Sequence, residues 1–141
     1  MIALVAALML SLQADAEAAE SWRESNSGHR AVLSFGEAAN ALIRLSCARP
    51  GVIRADLSGL YTGEGPEPRR VVVESGRVRG SYPLFFNDAF SAEMPVTAPV
   101  MRAFGRSARL RFAAANVELT GDATQSSESR TVSAFLARCR N

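Results

Sequence analysis

This chain of 141 residues contains no lysine; all 16 of its basic side chains are arginine. Histidine occurs once, at His29, tryptophan once, at Trp22, and cysteine twice, at Cys47 and Cys139. Each scarcity closes off some chemistry. Without lysine there is no phosphate-binding loop of the G-x-x-x-x-G-K-[ST] kind, and the glycine-rich 59–65 stretch (GLYTGEG) does not sit between a strand and a helix. One histidine and two cysteines 92 positions apart have no zinc-ligand spacing. Any Ser-His-Asp or Cys-His mechanism must run through His29, and no G-x-S-x-G elbow surrounds any serine. Charged blocks, internal repeats and heptads are missing. No apolar run is long enough to cross a bilayer as a helix.

What is present is ordinary for a single globular domain: 48% apolar and 21% charged residues, with a formal net charge of +2. Arginine in place of lysine, with abundant alanine, is the pattern of a GC-rich coding bias. Arginine is also the better ligand for phosphates and carboxylates. The charge is too small for a nucleic-acid footprint, so no nucleic-acid partner is expected.

The N-terminus carries a targeting signature. Residues 2–12 form an apolar run of signal-peptide length, followed by small residues at cleavage spacing, 14–16 (ADA) and 16–18 (AEA). The expected organisation is a signal peptide over 1–18, cut after Ala16 or Ala18, and one exported domain over 19–141. No transmembrane segment then remains. The same run also fits a buried N-terminal helix. Cleavage after Ala16 takes the acidic count from 14 to 13 against 16 arginines, a net of +3. In an exported chain the two cysteines form a disulfide; in a chain that stays inside, they are buried thiols. A Cys47–Cys139 bridge closes nearly the whole domain and contributes roughly 4–5 kcal/mol in the chain-entropy model.

Residues 41–58 (ALIRLSCARPGVIRADLS) organise the rest. Ala41, Ile43, Leu45 and Cys47 alternate with polar residues, as do Ile53, Ala55 and Leu57, and Pro50-Gly51 punctuates the two runs. That is a half-buried antiparallel pair. Further strands are expected around Trp22, over 30–35, 71–74, 77–82, near 94–96, over 108–113 and 117–120. Ser75-Gly76, Asn87-Asp88 and Ala115-Asn116 serve as turns. Thr97 reads as the cap of a short helix that begins near Pro99 and ends at Gly105. Val132, Phe135, Leu136 and Cys139 mark one stripe of a C-terminal helix capped by Ser129. The fold expected is mainly β, a β-rich α+β arrangement. It is a small antiparallel curled sheet or sandwich of about six to eight strands, with a short middle helix and a C-terminal helix.

Candidate functional residues are few. The 58–70 loop (SGLYTGEGPEPRR) is long, and long loops on small β domains carry function; it offers Tyr61 and Glu64. Arg69, Arg70, Arg77 and Arg79 gather on one hairpin, and Arg102, Arg106, Arg109 and Arg111 on the short helix and the strand after it. If these elements adjoin, they make a basic face for an anionic envelope component or an acidic protein. The carboxylates Asp56, Glu64, Glu67, Asp88 and Asp122 lie on an outward face, in the loop and in turns, where turn geometry accounts for them. No catalytic residue, metal site or cofactor is assigned.

The layout of an early Trp22, a hairpin with L-x-C (Leu45, Ser46, Cys47) and a closing F-L-x-x-C helix (Phe135, Leu136, Cys139) resembles small exported Gram-negative proteins. These are the invasion-associated locus B type and the accessory proteins of type VI secretion. The chain lacks the internal cysteine pairs of the locus B type. The resemblance implies a periplasmic, non-catalytic domain and transfers no functional residue. Two functions follow. The first is a periplasmic or secreted binding module of the envelope that uses the 58–70 loop and the arginine face on an envelope protein or an anionic envelope component. The alternative is a small secreted hydrolase built on His29 and a carboxylate. Expression from the full gene is expected to give an intact mass lacking the first 16 or 18 residues, with thiols that alkylate only after reduction. A full-length mass with two freely alkylated thiols is the outcome of the buried-helix reading.

Overall fold

The computed structural model describes residues 21–27, 30–37, 40–61, 63, 65–115 and 117–141. The expected signal peptide, His29, Glu64 and Asn116 lie outside the described residues. The chain runs through β1 (Trp22–Ser27), β2 (Arg30–Phe35), β3 (Ile43–Arg49), β4 (Val52–Leu57), β5 (Arg70–Ser75), β6 (Val78–Pro83), β7 (Phe85–Asn87) and β8 (Ala89–Pro95). Helix α1 (Pro99–Ser107), β9 (Arg109–Ala114), β10 (Val117–Asp122) and helix α2 (Glu128–Arg140) follow. The protein is thus β-rich, with two antiparallel sheets ordered β1-β2-β3-β4-β8-β7 and β10-β9-β5-β6.

The organising hairpin sits in the larger sheet as β3 and β4, with Leu45 opposite Ala55 and Cys47 opposite Ile53. Alternation decides which face is buried: Ile43, Leu45, Ile53, Ala55 and Leu57 are all sealed in the core. Val71, Val73, Leu110 and Phe112 do the same from the smaller sheet, and Met101, Phe104, Val132 and Phe135 from the helices. All belong to one apolar cluster, so the two sheets and both helices share a single core.

Cys47 and Cys139 form the disulfide, with Cα atoms 5.3 Å apart. The Pro50-Gly51 turn adds a second fastening, since Gly51 N donates to Cys139 O at 2.6 Å. Gly51 O also accepts from Val96 N at 2.9 Å, which ties the turn to the start of α1. Gly51 holds φ +82°, a conformation that only glycine adopts without strain.

Several local expectations shift. The described residues form ten strands rather than six to eight, partly because residues 85–95 fold into their own hairpin around Asp88, at φ +66°. The β5–β6 turn is Gly76-Arg77, not Ser75-Gly76, because Ser75 still pairs with Val78. Glycine at φ +61° then occupies the first turn position, as a two-residue II′ turn requires. Helix α1 is capped by Ala98 rather than Thr97, with Pro99 first in the helix. Gly105 lies inside α1 because α2 comes close there: a Cβ would stand 3.3 Å from Leu136 Cδ1. The helix ends instead at Ala108, left-handed at φ +55°, whose N–H donates to Phe104 O at 2.8 Å. Likewise β10 runs on to Asp122, because Gly121 lies beneath Trp22: a Cβ would meet Trp22 Cζ2 at 2.5 Å. Ser127 caps α2, and Ser129 falls in its first turn, donating to Ser126 O at 3.0 Å.

Glu128 explains that earlier start. Its side chain is buried, at 5% exposure. Trp22 N donates to Oε1 at 2.7 Å. Thr124 N and Gln125 N each donate to Oε2 at 2.7 Å, and Thr124 Oγ1 donates to it at 3.2 Å. A carboxylate, which only accepts, matches this ring of donors, and its charge also suits a helix start. Truncation would leave three backbone N–H groups without an acceptor. Glu128→Ala is therefore expected to lower unfolding stability by about 2–4 kcal/mol. Urea titration at an unchanged slope tests the loss, and early hydrogen exchange at the Trp22 amide shows whether β1 detaches first.

Candidate binding site

The 58–70 loop is not the bare exposed segment its composition implies. Leu60 is sealed in the core, Tyr61 is half-buried, and Tyr61 OH donates to Gly65 O at 2.7 Å. The loop is thereby folded back on itself. Beside it stands the β7–β8 hairpin, in which Phe86 pairs with Phe90 across the strands. The Phe86 and Phe90 rings lie 5.0 Å apart, and Tyr61 meets Phe90 edge-on at 6.1 Å. Between loop and hairpin is a cleft of about 520 Å³, lined by Leu57, Leu60, Tyr61, Phe86, Asp88 and Phe90 among others.

The rim is unusual. Phe85 is 57% exposed and Phe86 60% exposed. Both belong to β7, an edge of the larger sheet, and among the described residues no strand pairs with its outer side. Edge strands normally carry charge or proline to discourage pairing, and large apolar side chains in the open mark interaction surfaces. Leu84 N donates to Arg69 O at 2.8 Å, so the loop end carrying Arg69 is fastened beside the start of β7.

The described lining of the cleft is mostly apolar and aromatic. Its ionisable described lining residues are Tyr61 and Asp88, so no pair of carboxylates faces across it. Among the described residues no three His, Cys, Asp or Glu side chains gather as a metal site. Aromatic walls and an apolar floor instead suit an apolar side chain, and the strand edge offers backbone donors and acceptors.

The expected site residues are dispersed. Tyr61 walls the cleft. Arg70 turns away across the smaller sheet, where Nε and Nη2 donate to Ser81 Oγ and O at 3.0 and 2.9 Å. Arg79 pairs with Glu74 at 3.0 Å, Arg111 pairs with Glu74 at 3.1 Å, and Arg111 also pairs with Glu118. The outer face of the smaller sheet is therefore an alternating ladder, Arg79–Glu74–Arg111–Glu118. The hydrogen bond that Arg111 donates to Glu118, and then the Glu118 charge, push the Arg111 guanidinium up from its ordinary value. Burial likewise raises the Tyr82 phenol on β6. Both shifts leave the charge at neutral pH unchanged. Arg77 is exposed in the β5–β6 turn.

Phe85, Phe86 and Phe90 were hidden in the sequence by their apolar character. One signal was available. Successive strand residues point to opposite faces, so adjacent phenylalanines in a strand cannot both enter one core. Comparison with protein-family models, curated proteins and solved structures returns no match. Stability separates the rim from the floor. Phe86→Ser is expected to cost under about 1 kcal/mol and the buried Phe90→Ala about 3–5 kcal/mol, read from denaturant midpoints. Equal costs would make Phe86 part of the core.

Proposed function

We propose that the protein is a non-catalytic binding module of the bacterial envelope. It is exported to the periplasm or beyond, and it takes an extended segment of a partner protein onto the β7 edge. An apolar side chain of that segment enters the Tyr61–Phe86–Phe90 cleft. The observation that carries this reading is the pair of exposed phenylalanines on an open strand edge beside an apolar cleft. Strand addition uses backbone hydrogen bonds for affinity and side-chain pockets for specificity, and both elements adjoin here.

Export rests on the apolar N-terminal run with its cleavage spacing, and on the Cys47–Cys139 bridge, since such crosslinks persist in oxidising compartments. No helix among the described residues is long and apolar enough to cross a membrane. The resemblance to the locus B type and to type VI accessory proteins agrees with an envelope role. The alternative, a hydrolase centred on His29, turns on a residue outside the described ones.

Selection from a displayed random-peptide library tests the reading. Bound peptides are expected to share an apolar residue with alternating neighbours. Phe86→Ser and Tyr61→Ala should each weaken them at least tenfold, about 1.4 kcal/mol, with folding intact. Peptides that ignore both substitutions would refute the cleft as the binding site.

A further inference from the structure

We propose that the exposed groove between α1 and α2 binds a polyanionic glycan, a sugar chain bearing carboxylate or phosphate groups. The inference is independent of the β7 cleft, with which the groove shares no lining residue.

The groove follows from the close helix contact at Gly105, where Ser133 Oγ donates to Gly105 O at 2.8 Å. It measures about 340 Å³, with Met101 and Leu136 at its base and Arg102, Arg106 and Arg140 around it. A second cleft, of about 310 Å³, adjoins it at Arg106 and adds Arg109, Ser107, Thr124, Gln125 and Ser129. The shared arginine makes one track of the two. Among the described residues none of Arg102, Arg106, Arg109 and Arg140 has an ion-pair partner. Asp122 stands opposite Arg109 on the β9–β10 ladder without forming a pair.

The imbalance is built into the helices. Between them they carry Arg102, Arg106, Arg130, Arg138 and Arg140 against one acid, Glu128. Glu128 is buried and committed to Trp22, Thr124 and Gln125. Arg138 is taken by Glu24. On the smaller sheet, by contrast, Arg79 and Arg111 have Glu74 and Glu118 interleaved.

Charge fixes the sign of the ligand, and the texture of the track fixes its class. A lipid surface asks for apolar side chains to insert, and a protein interface asks for an aromatic or aliphatic anchor. Single-stranded nucleic acid asks for stacking platforms. Among the described residues the exposed large apolar ones are Leu42, Phe85 and Phe86, and none lines the track. The track offers hydroxyls, an amide and guanidinium forks. Those are partners for sugar hydroxyls and for carboxylate or phosphate groups.

Alginate, a polyuronate, is the probe. The folded, oxidised protein is expected to bind it at low salt, to release it as salt rises, and to ignore neutral dextran. Replacing Arg102, Arg106 and Arg140 together by glutamine should weaken binding roughly tenfold or more. Replacing Arg69, Arg77 and Arg79, with the same loss of charge, should change it less than about twofold. If the first triple variant does not fold, Arg106→Gln alone is measured, since Arg106 lines both clefts; loss of alginate binding supports the site. Equal weakening by the two triple variants would reduce the effect to net charge and overturn the proposal. So would absence of alginate binding, or equally tight binding to an oligonucleotide or to phosphatidylglycerol vesicles.

Discussion

The fold depends on the junction at Trp22. Its backbone N–H donates to the buried Glu128 carboxylate, and its indole Nε1 donates to Ala108 O at 2.8 Å. The ring packs against Phe35 and Phe104, at 5.2 and 4.8 Å, and over Gly121. One residue thus joins β1 and β2 of the larger sheet, β10 of the smaller sheet and both helices. Each partner yields something locally. Ala108 takes a left-handed backbone that costs an alanine about 1–2 kcal/mol, β10 gives up a side chain at Gly121, and a carboxylate leaves water. These concessions make sense only as one unit, because each is offset by contacts that the others create. At the opposite end of α2 the disulfide and the Gly51–Cys139 hydrogen bond play the corresponding part. Helix α2 is therefore held at both ends.

This bracing determines where the helix arginines lie. With α2 fixed, α1 lies against it at Gly105, and Arg102, Arg106 and Arg140 line the groove between them without an ion-pair partner among the described residues. The outer face of the smaller sheet is already neutralised by Glu74 and Glu118. Charge count in the sequence treats these two arginine groups alike. Register separates them, because Glu74 stands across from both Arg79 and Arg111 in adjoining ladders.

The same distinction marks how far the sequence could be read. The strands, the C-terminal helix and the inward positions of both cysteines were legible, because alternation and helical spacing are local properties. Leu110 and Phe112, for instance, announce their burial by the arginines between them. What was not legible is where the chain meets itself at a distance. Thr97 looked like a cap and Gly105 like a stop by ordinary helix chemistry. Pro99 at the first helical position makes Ala98 the cap, and tertiary contacts overrode the stop, since α2 needed the space at Gly105 and Trp22 needed the carbonyl of Ala108. Glu128 falls just ahead of the Ser129 cap that local chemistry suggests, and its role was hidden because its donors come from Trp22, 106 positions away, as well as from its own loop. The arginine face was legible as composition but not as geometry.

The length of β7 constrains what it can hold. The strand has three residues, with Pro83 ending β6 just before it and the left-handed Asp88 turning the chain just after it. Three residues span about 10 Å, enough for a few backbone hydrogen bonds, each worth about 1 kcal/mol net. A ladder that short cannot hold a partner by itself. In the proposed binding mode, most of the affinity must come from the side chain that enters the cleft beside Phe86. The edge then sets only the direction and register of the incoming segment, and the Tyr61–Phe86–Phe90 walls determine which segment is accepted.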